Sequence, residues 1–359
     1  SAVDAASVSS LVTVSFTATG RIRSGSHIKL VLSGDQEMSN TPAVSLTQVG
    51  GVTAVDSRNS IDSASWSSGI ETLLLVTGGT APIDDGDSVV LTIANVYSAS
   101  KVGSGSSIDV TVYDASGTST RVVDTGSFVT DPISKGTLSG GGTFSYGIAT
   151  PGVVSTVTVT FTSKGRIKAG GSISVVLQED QEMTGSPVVT FTAPASDVTA
   201  SNPTWAAETK QLVFNTAGSG VIGDGSSVVF TIGGVRSPSS VTVSSTASVT
   251  VYHPDGRSAG DVVDEGTLTT DAITVGSIGS GTFESAIDTP GVMTSWTVGF
   301  TTVGRILSGG KIRLVMGSGG QTMDAESPSL SFASPSGVTG SSVRVGASEL
   351  LITIGGGSI

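Results

Sequence analysis

The side chains whose type and spacing could do chemistry are carboxylates and guanidiniums. Asp84, Asp85 and Asp87 crowd one Asp-Gly turn, a pattern that offers hard oxygen ligands to calcium. The matching turn further on reads Gly223, Asp224, Ser226, so two carboxylates are lost there. The plainer reading is an Asp-Gly turn. A second acidic set, Asp124 and Asp131, recurs as Asp264 and Asp271, and Asp4 recurs as Asp288. Carboxylates near the boundary between folded units bind calcium and stiffen an array. Asp131 and Asp271 are the candidates for such a junction ion, with turn and cap residues as the plainer alternative. The third set is Arg21, Arg166 and Arg305, each within Gly-Arg-Ile. A guanidinium presents a planar fork that matches a carboxylate, so these are candidates for contacts between units. The alternative is a turn whose Arg covers a sheet edge.

Catalysis has less to work with. Nucleophilic or acid–base chemistry needs a paired base or a metal. The chain has two His, and His27 aligns with Ser172 and Lys311, while His253 aligns with Asp114. Neither recurs, so neither marks a shared site. No metalloprotease, nucleophile-elbow, P-loop or dinucleotide pattern is present. The Gly140-Gly141-Gly142 run lies between no strand and helix and reads as a loop. No enzyme is expected, and no cofactor beyond the calcium named above. An internal isopeptide staple needs a Lys at one place in every copy, but Lys29 becomes Ser174 and then Arg313.

The elements that must carry these residues are strands. Val157, Val159 and Phe161 alternate with Thr158 and Thr160. Ile173, Val175 and Leu177, then Val228, Phe230 and Ile232, then Ala247, Val249 and Val251 repeat the period of two. Branched residues at that period suit a pleated sheet with one wet face. No stretch holds a helical period. Asp85-Gly86, Asp224-Gly225 and Asp255-Gly256 supply turns between strands. Roughly seven to nine strands fit each unit, which predicts an all-β fold of tandem immunoglobulin-like antiparallel β-sandwich domains, with a closed barrel as the alternative.

The units are legible because the chain repeats itself. Val12–Thr17 followed by Gly20-Arg21-Ile22 returns as Val157–Thr162 with Gly165-Arg166-Ile167, and again as Trp296–Thr301 with Gly304-Arg305-Ile306. Gln36-Glu37-Met38 returns as Gln181-Glu182-Met183 and more loosely as Gln321-Thr322-Met323. This sets repeats at 1–131, 132–271 and 272–359, joined by short, stiff junctions. Ser1-Ala2-Val3-Asp4 matches Ser285-Ala286-Ile287-Asp288, so the chain opens inside a copy. The third copy ends before counterparts of Ser88–Ile93 and Ile108–Tyr113. The expectation is a piece of a longer array, or a processed chain whose end a neighbour completes. Trp66 and Trp205 fall at one repeat position and read as core, as does Trp296; Met38, Met183 and Met323 read as packing residues.

Composition narrows the partners. Formal net charge is −12, and the 17 Lys and Arg form no basic run, which disfavours nucleic acid and anionic lipid. No segment approaches the length of an apolar membrane span. With no Cys, stability must come from packing. Asn202-Pro203-Thr204 carries the Pro that blocks N-glycosylation, leaving the Ser and Thr of the wet faces as O-glycan acceptors.

The repeated Val-x-Val-x-Phe-Thr opening, the Thr-Pro-Gly of Thr150-Pro151-Gly152 and Thr289-Pro290-Gly291, and the lack of Cys resemble repetitive surface and extracellular-fibre proteins built from immunoglobulin-like sandwiches. Such arrays occur in bacterial adhesins and in the wall or appendage proteins of microbial algae. The resemblance implies an extracellular or cell-surface, non-enzymatic, elongated protein that self-associates into a filament. The alternative it implies is a spacer in an adhesin whose binding head lies elsewhere.

Overall fold

The computed structural model describes all residues except 1–3, 33, 54–57, 117–120, 179, 195–196, 318–321 and 324. The Ser1-Ala2-Val3 match and Gln321 therefore lie outside the described residues.

The fold is all-β. Among the described residues the one helical element is a 3-10 turn at Ala259–Asp261. The first body holds β1 (Ser9–Thr17), β2 (His27–Leu32), β3 (Val44–Val49), β4 (Val52–Thr53), β5 (Ser60–Ser67), β6 (Thr72–Gly78), β7 (Ser88–Tyr97), β8 (Ser107–Tyr113) and β9 (Val122–Val129). These form a β-sandwich of two antiparallel sheets, ordered β1-β7-β3-β4 and β5-β6-β2-β8-β9. The alternating residues meet between the sheets: Ile28, Leu30, Leu73, Leu75, Leu91 and Val89 are buried in one cluster with Trp66. Burying such side chains is worth about 1.5–3 kcal/mol each, which is how a chain without Cys holds its layers together.

The second body holds β10 (Gly136–Thr137), β11 (Ser139–Tyr146), β12 (Val154–Thr162), β13 (Ser172–Val176), β14 (Glu182–Ala193), β15 (Thr199–Ala206), β16 (Gln211–Ala217), β17 (Ser227–Arg236), β18 (Thr246–Tyr252) and β19 (Val262–Thr270). Pairing follows that of the first body. Phe16 faces Val89 across β1 and β7, and Phe161 faces Val228 across β12 and β17. Both pairs are interrupted by a bulge, at Ser10/Val12 and at Ser155/Val157. Here β11 lies antiparallel to β12 and parallel to β19, so the two layers join through one edge. Phe161, Phe191, Phe214 and Phe230 form an edge-to-face aromatic cluster, with Phe214 and Phe230 rings 5.1 Å apart.

Two expectations are corrected. Gly140-Gly141-Gly142 is not a loop but part of β11. It makes the bulge between Ser139 and Thr143, and Gly140 and Gly141 take φ of 80° and 65°, which residues with a Cβ resist. Trp296 belongs to neither core cluster. It is half-buried and packs on Phe283 at 5.2 Å, because its sheet has only two strands among the described residues.

That third region holds β20 (Gly279–Ser285), β21 (Trp296–Thr301), β22 (Lys311–Val315), β23 (Val338–Gly346) and β24 (Glu349–Gly356). β20 pairs with β21, and the other sheet runs β22-β24-β23. Among the described residues no helix is long and apolar enough to cross a membrane.

Candidate functional site: the Gly-Arg seams

The turn after β1, and the equivalent turn after β12, is built by a carboxylate from the last strand of its body. Asp124 on β9 accepts the N–H groups of Thr19 and Gly20, both at 3.0 Å. Asp264 on β19 accepts those of Lys164 at 2.9 Å and Gly165 at 3.0 Å. The carboxylate fixes the backbone that presents the following Arg. Asp264 is fully buried, and that burial raises its pKa to about 6, with the two backbone donors pulling the other way. Its carboxylate is therefore shielded from solvent.

Arg166 meets the first body. Its N–H donates to the Ser7 carbonyl at 2.9 Å, and its Nη2 donates to Glu37 Oε2 at 2.6 Å. Its guanidinium sits 4.1 Å above the Tyr97 ring. Lys168 Nζ donates to the other Glu37 oxygen at 2.6 Å. A Cβ at Gly165 would collide with the Ala6 carbonyl, so glycine is what lets the two backbone segments touch here. Burial pushes the Glu37 carboxyl up, but the bonds from Lys168 and Arg166 and their charges outweigh it, leaving it below the usual carboxylate range.

Arg305 repeats the arrangement on the second body. Its N–H donates to the Gly152 carbonyl at 3.3 Å, and its Nη2 donates to Glu182 Oε2 at 2.8 Å. Gly304 again replaces a Cβ that would strike backbone, at the Pro151 carbonyl. One partner differs: Arg236 stands where Tyr97 does, donating to the Gly152 carbonyl at 2.7 Å with its Nε 3.6 Å from Glu182. At both seams two cations share one carboxylate, Arg166 and Lys168 on Glu37 and Arg305 and Arg236 on Glu182, and the first seam adds the Tyr97 ring.

Arg21 stays on its own body, with Nε 3.1 Å from Asp84 Oδ1 and both side chains more than half exposed. Exposed pairs of this kind contribute about 0–1 kcal/mol. Asp87 accepts the Asp84 N–H at 2.9 Å, an ordinary turn bond, and Asp85 lies exposed beside it. Asp271 Oδ2 accepts the Tyr146 N–H at 2.9 Å, tying the end of β11 to the strand β19. Asp131 lies exposed between the first and second bodies. Among the described residues no three His, Cys, Asp or Glu side chains are placed to hold a metal.

The first seam has further polar contacts that sequence reading missed. Lys101 reaches Asp255 at 2.8 Å, the Val102 N–H donates to the Gly260 carbonyl at 3.0 Å, and the Ser9 N–H to Asp224 at 3.2 Å. His253 lies between Asp35 and Asp255, at 3.8 and 3.5 Å. Burial lowers its pKa, against the pull of those two carboxylates. Glu37 was visible in sequence only as part of a repeated Gln-Glu-Met. The signal that could have paired it with Arg166 is that Gly-Arg-Ile and Gln-Glu-Met recur together.

No protein-family model matches the sequence, and no curated protein matches it. Among solved structures, the chain is similar to the C-terminal domain of the Streptococcus pyogenes antigen I/II-family protein AspA, at 11% identity and a TM-score of 0.27, covering 75% of this chain and 95% of that one. It is also similar to the type II cohesin dyad from the ScaA scaffoldin of Acetivibrio cellulolyticus, at 11% identity and 0.22, covering 73% and 95%. The serine-rich repeat adhesion glycoprotein Srr1 of Streptococcus agalactiae matches at 9% identity and 0.21, covering 72% and 86%. At these TM-scores the likeness bears on neither function nor partners.

Proposed function

We propose that this protein is a non-enzymatic structural element of an extracellular or cell-surface filament or appendage, in which β-sandwich units 1–131, 132–271 and 272–359 stack end to end. One observation carries the reading. The same Gly-Arg turn meets the preceding body twice, Arg166 on Glu37 and Arg305 on Glu182, with a backbone bond beside each ion pair. A seam used twice with one geometry fixes the angle between neighbours, which is what a load-bearing or spacing element needs. Copies of the chain associate into a fibre, with O-glycans on the Ser and Thr of the wet sheet faces.

Small-angle scattering with negative-stain imaging tests the stacking. Wild type should give an elongated particle with a narrow spread of angles at both seams, and Arg166→Ala with Arg305→Ala should broaden that spread while each body stays folded by circular dichroism. A compact wild-type particle, or a double variant with unchanged angles, would refute the stacking. Compact monomers alone at high concentration would refute the fibre.

A further inference from the structure

One imidazole lies in the first seam, and its hydrogen bonds fix its charge state. His253 follows β18 and opens the loop that ends in the 3-10 turn at Ala259–Asp261. Its side chain is 10% exposed. The loop is drawn together by its own backbone: the His253 N–H donates to the Asp261 carbonyl at 2.7 Å, and the Gly256 N–H to the His253 carbonyl at 3.3 Å. The Asp255 N–H donates to His253 Nδ1 at 3.3 Å. A ring nitrogen that accepts a hydrogen bond carries no proton, so the proton of the neutral ring sits on Nε2. The same loop grips the first body. Its Gly260 carbonyl accepts the Val102 N–H at 3.0 Å, and its Asp255 meets Lys101 at 2.8 Å.

The charges around the ring come from both bodies. From the first, Asp35 lies 3.8 Å from Nε2, beyond hydrogen-bond reach, and Lys101 arrives on the connection between β7 and β8. From the second come Asp255 and Asp261, in the ring's own loop, and Lys168, just past the Gly-Arg turn. Neither near carboxylate is free to balance a charged ring. Asp35 accepts the Ser100 N–H at 2.9 Å and the Ser100 hydroxyl, while Asp255 Oδ2 is held by Lys101 Nζ. A proton added to Nδ1 breaks the bond from the Asp255 N–H. It also sets a third cation beside Lys101 and Lys168, in a place shielded from water.

We propose that His253 is an acid-sensitive latch: neutral, it holds the His253–Asp261 loop against the first body; protonated, it releases the loop and loosens the first seam. The inference rests on the stacking reading only in taking this seam as a docked junction, and it adds the condition that undocks it. Burial lowers the proton affinity of the docked ring, Asp255 and Asp35 pull it back up, and Lys168 and Lys101 lower it again, leaving it below the ordinary 6.5. An undocked ring returns to the ordinary value. The open form therefore takes up a proton that the docked form refuses, so docking is favoured above about 6.5 and weakens as pH falls below it. The neighbouring carboxylates stay charged through that window. Burial pushes Asp35 up but the Ser100 bonds bring it below its ordinary value; the Lys101 bond lowers Asp255, and the Ser258 bonds lower Asp261. Asp264, raised by burial to about 6, acts in the opposite sense, because acid favours its folded form.

The test follows amide exchange of the full chain from about pH 7.5 to about pH 5.5, each rate corrected for the intrinsic pH dependence of exchange. One proton allows up to about tenfold per pH unit, and protection of the Val102 amide should fall at least about threefold while β12 and β17 amides hold. His253→Gln keeps an acceptor and a donor but does not titrate, so its Val102 protection should stay flat. Asp264→Asn should keep the wild-type fall. A magnetic-resonance titration of the wild-type ring needs no variant and should give a midpoint below 6.5. Should His253→Gln leave Val102 unprotected at both pH values, that midpoint decides. Unchanged Val102 protection in wild type overturns the proposal, as does an equal fall in His253→Gln or a ring midpoint at or above 6.5. Val102 reports one local bond whatever the shape of the particle, so scattering that refuted the stacking and a flat Val102 profile are separate failures.

Discussion

Replacing Glu37 with Gln asks how much the first seam depends on charge. Glu37 accepts bonds from Arg166 and Lys168, both at 2.6 Å. Arg166 and Lys168 side chains are 15% and 23% exposed, but Glu37 is 42% exposed. A shielded bond to a charged group contributes about 1.5–3 kcal/mol, and an exposed ion pair about 0.2–1 kcal/mol. With the carboxylate partly in water but both cations shielded, the upper part of the exposed range, about 0.5–1 kcal/mol, governs each bond. Gln keeps one acceptor oxygen, so the expected loss is about 1–2 kcal/mol for the pair together. The Arg166 amide reports it directly, since its N–H is bonded across the seam to the Ser7 carbonyl. In the regime where exchange follows the open population, Glu37→Gln should raise its exchange rate about 5- to 30-fold. Core amides of β12 and β17 should be unaffected. Salt should weaken the wild-type protection and leave the variant nearly unchanged. Protection of the Arg166 amide within about twofold of wild type would refute the reasoning, because the seam would then be held by backbone contact alone.

Burial pushes the Asp264 carboxyl up to about 6 from its ordinary 3.8, so the native state binds the extra proton between those values and this group's ionisation lowers stability as pH rises from about 4 to about 6. Asp264→Asn should flatten that slope, by up to about 3 kcal/mol, in chemical unfolding measured at several pH values; an unchanged slope would refute the burial argument. Phe230→Ala removes the ring shared by three aromatic contacts and should cost about 3–5 kcal/mol, read as early melting of the second body while the first keeps its midpoint; a loss below about 1 kcal/mol would mean the cluster is not the core. Because Asp84 is engaged by Arg21 and Asp87 by the turn backbone, calcium should leave the melting curve in place; a rise above about 3 °C, equivalent to about 1 kcal/mol, would restore the acidic turns as an ion site.

The strands were legible because period-two burial is a property of adjacent residues: Val157, Val159 and Phe161 announce their shared face in five positions. Glycines at 20, 165 and 304 announced a turn, but not that two of them admit a neighbouring carbonyl, since that partner is more than a hundred residues away. Glu37 was hidden for the same reason. A carboxylate on an exposed loop looks the same whether it meets water or the Arg166 guanidinium. The depth of Asp264 is not legible in sequence because local sequence carries polarity, not depth; its counterpart Asp124 makes the same bonds in an exposed turn. The Gly140–Gly142 run was misread because three glycines permit a bulge as readily as a loop, and only β12 and β19 on either side decide it.

The parallel pairing of β11 with β19 has a mechanical consequence. Those strands are the entrance and exit of the second body, and they run in the same direction. Tension drawn through the chain therefore slides one along the other and strains their hydrogen bonds together, in place of peeling them one at a time. An antiparallel pair at the same two positions would open like a zip under the same pull. The body yields only when the whole row gives way, which suits a chain that is tugged.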